Sequence, residues 1–277
     1  MATDIETSDY SIWADLQRIR SIKPLVHNIT NSVVQDFTAN ALLALGASPI
    51  MSDSVDETEE LVVASHALNI NIGTPSGHAI EAMRKAVETA CELGKPVALD
   101  PVAVGATKLR RKLIEDLLRA GKPTIVRGNL TEISVFAGVE WGGKGVDSGA
   151  DLQDPGEIVR KAAQNLGCCV VGTGKTDYAS DGVRLFSITN GHPMMTRVTG
   201  MGCVATSIAA AFLAVQPSPL AAAVHAMALV GIAGEWAAER AQNEGPGTFR
   251  VKFLDSFDRL EAKDVEAMAK IKRVSLS

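Results

Sequence analysis

The sequence predicts an α/β protein with a mostly parallel sheet and an antiparallel edge, and three observations carry that reading. Short apolar runs bounded by Gly, Pro or Asp alternate with longer stretches of helical periodicity. Each intervening stretch is long enough for a right-handed crossover between parallel strands. After Gly172 the alternation stops, and two short runs flank Asp181-Gly182, a dipeptide that favours a two-residue hairpin turn.

In chain order, Pro24-Leu25-Val26-His27-Asn28-Ile29-Thr30-Asn31 reads as the entry to a helix over 32–45, with Thr30 or Asn31 as its cap. Apolar runs then predict strands at 46–51, 68–72, 96–101, 124–127 and 168–172. The periodic stretches between them predict helices at 55–66, 76–93, 108–120 and 155–166. The hairpin strands are 178–180 and 184–188. Two small-residue helices follow, from about 202 to 215 and from 219 to about 241, and without a polar face both belong in the interior. A last strand near 249–254 and an exposed helix over 256–271 close the chain.

With 277 residues and no segment of shifted composition, the chain reads as one domain over 1–277. A formal charge of −5 with interleaved signs offers no basic face for nucleic acid or an anionic membrane, which points to small-molecule chemistry. The segment 220–238 is the most apolar, yet His225 and Glu235 interrupt it, and a buried helix accounts for it better than a membrane span. Cysteines 91, 168, 169 and 203 lack metal-ligand spacing and read as reduced thiols of a cytoplasmic protein.

The chemistry concentrates in three places. Thr199-Gly200-Met201-Gly202-Cys203 precedes an apolar helix, and its N–H groups at Gly200, Met201, Gly202 and Cys203 would converge as an anion hole for a transferring phosphate. A thiol at that helix start gains thiolate character, so Cys203 also fits a proton acceptor, while a glycine turn with a buried Cys fits equally. Asp100 ends one apolar strand and Glu132 follows the next, at neighbouring strand ends where two carboxylates beside phosphates suit Mg²⁺; singly, they also fit a turn cap and a helix start. Arg127, just before Gly128-Asn129, suits a phosphate oxygen. Gly172-Thr173-Gly174-Lys175-Thr176 lacks the Walker spacing and is followed by a hairpin, so only a strand-end Thr beside nucleotide phosphates is retained. Met51 ends a strand and suits soft apolar contact with a ligand or the core.

Taken in order, HNITN, PIM, DPV, RGNLTEI, GTGKTD, GMGC and Gly245-Pro246-Gly247-Thr248-Phe249 closely resemble the hydroxyethylthiazole kinases of thiamine salvage and biosynthesis, over about residues 10 to 260. The resemblance implies a ribokinase-like three-layer α/β/α sandwich. It implies transfer of the γ-phosphate of ATP to the primary hydroxyl of 5-(2-hydroxyethyl)-4-methylthiazole, with Mg²⁺ as cofactor. By motif, Arg127, Thr173 and Asn129 fall at ATP-binding positions, Met51 and Gly200 at substrate-binding ones, and Asp100 and Glu132 at metal-associated ones. Cys203 stands where the wider superfamily has a catalytic Asp. A homotrimer with active sites between subunits is implied as well, with the segment around His27 to Asn31 of a neighbour, His27 and Asn28 among its residues, contributing to the thiazole pocket. Met201 departs from the small residue usual between the loop glycines and is expected to reshape the pocket. Three other readings compete: a hydroxymethylpyrimidine acceptor, acyl transfer from Cys203 with a distant His as base, and a non-catalytic nucleotide sensor.

Overall fold

The computed structural model describes residues 11–139 and 154–275. The chain opens with α1 (Ile12–Ile22), β1 (Leu25–Ile29), α2 (Gln35–Leu45) and β2 (Ser48–Met51). Crossover units follow: α3 (Thr58–Ala64), β3 (Ala67–Asn71), α4 (Gly77–Glu92), β4 (Val97–Asp100), α5 (Lys108–Ala120), β5 (Ile125–Asn129), α6 (Leu130–Phe136), α7 (Pro155–Leu166) and β6 (Cys169–Thr173). The antiparallel part is β7 (Asp177–Ser180) and β8 (Leu185–Ile188). A short 3₁₀ turn (Pro193–Arg197) leads to α8 (Met201–Leu213), α9 (Pro219–Arg240), α10 (Pro246–Arg259), α11 (Ala262–Met268) and β9 (Ile271–Arg273).

These strands form one sheet in the order β2-β1-β3-β4-β5-β6-β7-β8-β9. Pairing is parallel from β2 through β6 and antiparallel from β7 onward. Successive strand residues face opposite sides, and the two cores divide accordingly. Ala67, Ala98, Ile125, Cys169 and Val171 join α1, α2, α8, α9 and α10 on one face. Leu68, Leu99, Val126 and Val170 join α3, α4, α5, α6 and α7 on the other. The result is the expected three-layer sandwich with an antiparallel edge. Small strand residues lie under the Ala-rich α8 and α9, so both helices approach the sheet closely. Although α9 is long and apolar enough to cross a bilayer, 89% of that stretch is buried inside the protein.

Several expectations are corrected. Residues 25–29 form strand β1, between β2 and β3, rather than a helix entry. The following helix starts at Gln35 with Val34 as a cap that makes no side-chain bond, which frees the Asn31 side chain for other partners. Residues 249–254 lie in helix α10 and not in a strand. Phe249, Phe253 and Phe257 recur every fourth residue, so their rings form one buried row, with centroids 6.5 and 5.1 Å apart, against Phe37 of α2 at 6.1 Å. The helix expected over 256–271 is divided among the end of α10, α11 and the edge strand β9. The hairpin loop spans four residues, because Ser180 pairs with Leu185 and Asp181 Oδ1 accepts the N–H groups of Val183 and Arg184.

Candidate active site

The strands carry Asn71, Asp100, Asn129 and Thr173 to one edge of the sheet, at the carboxyl ends where open α/β sheets bind ligands. The glycine loop and the start of α8 lie across this edge. Gly200 has φ +87°, and a Cβ there would meet Val34 Cγ1 at 2.5 Å, so only glycine makes the turn without strain. A Cβ on Gly202 would meet Arg127 Nη1 at 2.6 Å; the missing side chain lets the guanidinium lie against the loop. The first α-helical bond runs from the Val204 N–H to the Gly200 carbonyl, which leaves the amides of 201, 202 and 203 at the positive end of the helix dipole.

On one side of this loop is a cavity of about 780 Å³, within the range of small-molecule and cofactor pockets. Its lining includes Arg127, Thr173 and the glycine loop and, with Asn190 and Gly191, the apolar side chains of Met195, Met227 and Val230. Arg127 Nη2 donates to Thr173 Oγ1 at 2.9 Å, while its Nε is a buried donor without a partner. A buried unpaired guanidinium nitrogen costs free energy until an anion accepts from it. Asn129 caps α6: its side chain accepts the Glu132 N–H at 2.9 Å, and Glu132 Oε2 accepts the Asn129 N–H at 2.8 Å. Glu132 Oε1 also accepts the N–H of Ala103 at 2.7 Å, holding a turn in which Ala103 adopts φ +54°.

On the other side of the loop, Cys203 Sγ accepts a hydrogen bond from Asn31 Nδ2 at 3.3 Å. The same amide donates to Asn71 Oδ1 at 2.9 Å, and Asn71 Nδ2 donates to Asp100 Oδ2 at 2.9 Å. Thr206, one turn into α8, donates to that carboxylate oxygen at 2.9 Å. Hydrogen bonds thus connect Cys203 to Asp100, and the charges of Arg127 and Glu132 act on the same carboxyl. Burial raises the Asp100 carboxyl to about 6, with the Arg127 charge opposing and the Glu132 charge adding to the rise. Burial also raises the Cys203 thiol, and the Asp100 charge pushes the same way. The thiolate expected from the helix start is therefore disfavoured, because desolvation and a neighbouring carboxylate outweigh the dipole.

No cluster of three or more His, Cys, Asp or Glu suitable for holding a metal occurs among the described residues. Asp100 and Glu132 nonetheless fit Mg²⁺ held mainly by phosphates and water, since that ion rarely has an all-protein cage and uses one or two carboxylates.

The remaining residues sit toward the β2 edge. Met51 ends β2, half-buried and in register with Asn28. His27 is fully buried and held neutral by desolvation; its Nε2 bonds the Ser52 carbonyl at 3.0 Å and its Nδ1 has no partner. Asn28 is 1% exposed, with Oδ1 accepting from Asn69 and Ser207 and Nδ2 donating to Val26. Both side chains brace the sheet within their own chain. Met201 is buried and lines the cavity on the Arg127 side. Sequence reasoning missed Asn71 and Thr206, and gave Asn31 a helix cap and, through the resemblance, a place in the neighbour's pocket segment rather than a bond to Cys203. A signal existed: Asn69 and Asn71 interrupt an otherwise apolar strand, and a buried amide needs partners.

Comparison with known proteins follows the same direction. A model of the hydroxyethylthiazole kinase family matches residues 16–263. The chain is 51% identical to a hydroxyethylthiazole kinase of Granulibacter bethesdensis over 89% of each chain. It is 45% identical to the enzyme of that name from Pyrococcus furiosus over 96% of this chain and 99% of the other. A solved hydroxyethylthiazole kinase structure from Pyrococcus horikoshii superposes with a TM-score of 0.86 at 42% identity, covering 95% and 99% of the two chains. A pyridoxal kinase from Staphylococcus aureus shares the fold alone, with a TM-score of 0.64 at 17% identity over 91% of this chain and 99% of that one.

Proposed function

The chain belongs to the hydroxyethylthiazole kinase family and is a kinase, and on that premise we propose how its residues divide the transfer of the γ-phosphate of ATP to the hydroxyl of 5-(2-hydroxyethyl)-4-methylthiazole. The observation that carries the division is the glycine loop between two unlike sides, the Arg127 cavity and the Cys203 cluster. The triphosphate lies on the cavity side. Arg127, with its orphaned Nε, and the Thr173 hydroxyl take the phosphate oxygens, and the amides of Gly200 to Cys203 receive the transferring group. The alcohol lies on the Cys203 side, with its hydroxyl facing the loop.

Mg²⁺, when bound near Asp100 and Glu132, neutralises charge on the phosphates. Asp100 stays oriented by Asn71 and Thr206, and Glu132 by the amides of Asn129 and Ala103. Cys203 acts as a neutral thiol that positions the acceptor oxygen, its sulfur accepting the hydroxyl proton late in the transfer as its own S–H proton passes to an oxygen of the transferred phosphoryl group. A loose transition state needs no strong base, which agrees with a raised thiol.

The acceptor side is open at edge strand β2, whose residues are all half-exposed, and Val33 in the turn after β1 and Leu43 on α2 are 64% and 60% exposed. This supports a homotrimer whose active sites lie between subunits. With His27 and Asn28 enclosed in their own chain, the neighbour's direct contribution falls to Met51 and the turn after β1, and His27 acts by fixing Ser52. Four free cysteines support a reducing, cytoplasmic setting.

A coupled ADP-release assay over a panel of small alcohols, with and without magnesium, tests the reading. Turnover is expected with the thiazole alcohol and magnesium. Preference for a hydroxymethylpyrimidine, or labelling of Cys203 by an acyl donor without ATP, would replace it; intact ATP after long incubation would leave a nucleotide sensor. Leu43→Asp tests the trimer, expected by analytical ultracentrifugation to become smaller and, by kinetics, to bind the alcohol less well than wild type.

A further inference from the structure

The hairpin strand β7 begins with an acidic residue that the phosphate-transfer reading does not use. Asp177 lines the same cavity as Arg127 and Thr173. Its Oδ1 accepts the Gly174 N–H at 3.0 Å, closing the loop between β6 and β7, and its Oδ2 has no hydrogen-bond partner among the described residues. Lys175 at the loop tip also lines the cavity and makes no ion pair among the described residues.

Sheet register places Asp177 along the nucleotide's path. Asn129 is the register partner of Thr173 on β6; Gly172 pairs with Tyr178, which puts Asp177 beside Thr173; Asp177 in turn pairs with Ile188, just before Thr189. Neighbouring strands are about 4.8 Å apart. The cavity edge therefore runs in steps of one strand from the Arg127–Thr173 pair through Asp177 to Thr189, with the apolar surfaces of Met195, Met227 and Val230 also in the wall. A nucleotide whose phosphates occupy the Arg127 end and whose base meets apolar side chains must lay its sugar between them.

The chemistry agrees with that order. A carboxylate repels phosphate oxygens and accepts from hydroxyl donors, as acidic residues do on the ribose of other nucleotides. Burial raises the Asp177 carboxyl to about 6, against the opposing Gly174 N–H and Arg127 charge. We propose that Asp177 is the sugar-reading residue of the nucleotide site, its free Oδ2 accepting hydrogen bonds from the ribose hydroxyls of ATP. The assignment rests on the ATP reading given above and adds selection for ribonucleotides over deoxyribonucleotides to it.

The test uses the full chain with ATP, 2′-deoxyATP and 3′-deoxyATP. Steady-state ADP release with the thiazole alcohol gives KM and kcat, and calorimetric titration without the alcohol gives nucleotide affinity directly. Wild type is expected to bind at least one deoxynucleotide about tenfold more weakly than ATP, the loss of one charge-assisted hydrogen bond. Asp177→Asn keeps an oxygen for the Gly174 N–H but replaces the other acceptor with a donor. It is expected to bind ATP about as weakly as wild type binds that deoxynucleotide, to treat the nucleotides alike, and to keep the KM for the alcohol within about twofold. Equal affinity of wild type for all three nucleotides overturns the proposal without requiring any variant to fold. So does an Asp177→Asn protein that loses the same factor on every nucleotide, which would reduce Asp177 to a loop tie. Failure of the thiazole reading appears separately, as absent turnover, and leaves the calorimetric comparison decisive.

Discussion

The two sides of the glycine loop are built on opposite plans. The nucleotide side is assembled within one chain: Arg127, Thr173 and the loop amides enclose one end of a cavity of about 780 Å³. The side proposed for the acceptor is a hydrogen-bonded chain from Cys203 through the Asn31 and Asn71 amides to buried Asp100 on the interior strand β4, with the sheet's edge strand β2 lying open beyond β1. On the proposed reading the cation meets the highly charged substrate. Amides, a thiol and apolar side chains are left for the uncharged one. A single scaffold can thus bind a polyanion firmly while recognition of a small alcohol depends on shape and on what covers the edge.

The largest expected effect tests whether the sides are coupled. Asp100→Asn retains the partners of the carboxylate but removes its charge, and is expected to lower kcat roughly 100- to 1,000-fold in the ADP-release assay, the scale of losing a main electrostatic group. Unchanged turnover would remove Asp100 from the site. Gly202→Ala acts on the nucleotide side alone, because the added methyl displaces the Arg127 guanidinium lying 2.6 Å from its position. The KM for ATP is expected to rise about tenfold, as for one lost charge-assisted bond, with little change for the alcohol. Cys203→Ser acts on the acceptor side and should cost only severalfold in kcat, while Cys203→Asp preserves or raises it, since a loose transition state demands little base strength. If Cys203→Ser, Cys203→Asp and Cys203→Ala all left kcat untouched, the thiol would have no part in the reaction.

A pH series separates stability from turnover. With the Asp100 carboxyl raised to about 6 from an ordinary 3.8, the native state binds more protons than the unfolded chain between roughly pH 4 and 6. The contribution of this group to stability consequently grows as pH falls through that window and shrinks as pH rises. Turnover, which on the proposed role of Asp100 needs the ionised form, is expected to move the opposite way. The measurement is kcat against pH, expected to show an acid limb in wild type, beside thermal melts of wild type and Asp100→Asn. The melting-temperature difference between the two should widen in favour of the variant as pH rises from 4 to 7.

Much of the fold was legible because the apolar runs and glycine punctuation of β2 through β6 leave few alternatives. β1 was not, because His27 and Asn28 break its apolar run. Their burial makes sense only once the Ser52 carbonyl, Asn69 and Ser207 are in place as partners from distant parts of the chain. α10 was misread locally, although the four-residue spacing of Phe249, Phe253 and Phe257 was present in the sequence. In the site, the glycines, Arg127 and Asp100 stood out through position at strand and helix ends. Asn31 and Asn71 did not, since an amide's role depends on which groups it joins across 40 residues of sequence. The thiol illustrates a different limit: the helix start argued for ionisation, and only three-dimensional burial reversed the sign.

Glu132 brings a practical consequence for mutagenesis. Its two oxygens restrain two separate amides, that of Asn129 at the head of α6 and that of Ala103 in a left-handed turn just beyond Asp100. Glutamine has one acceptor oxygen and one donor nitrogen, so the supposedly neutral replacement sets an NH₂ group against a backbone N–H and frees one of the two tethers. Removing charge at this position also unfastens architecture. Asp100, whose amide and hydroxyl partners can adjust to asparagine, is the cleaner place to ask what negative charge alone contributes.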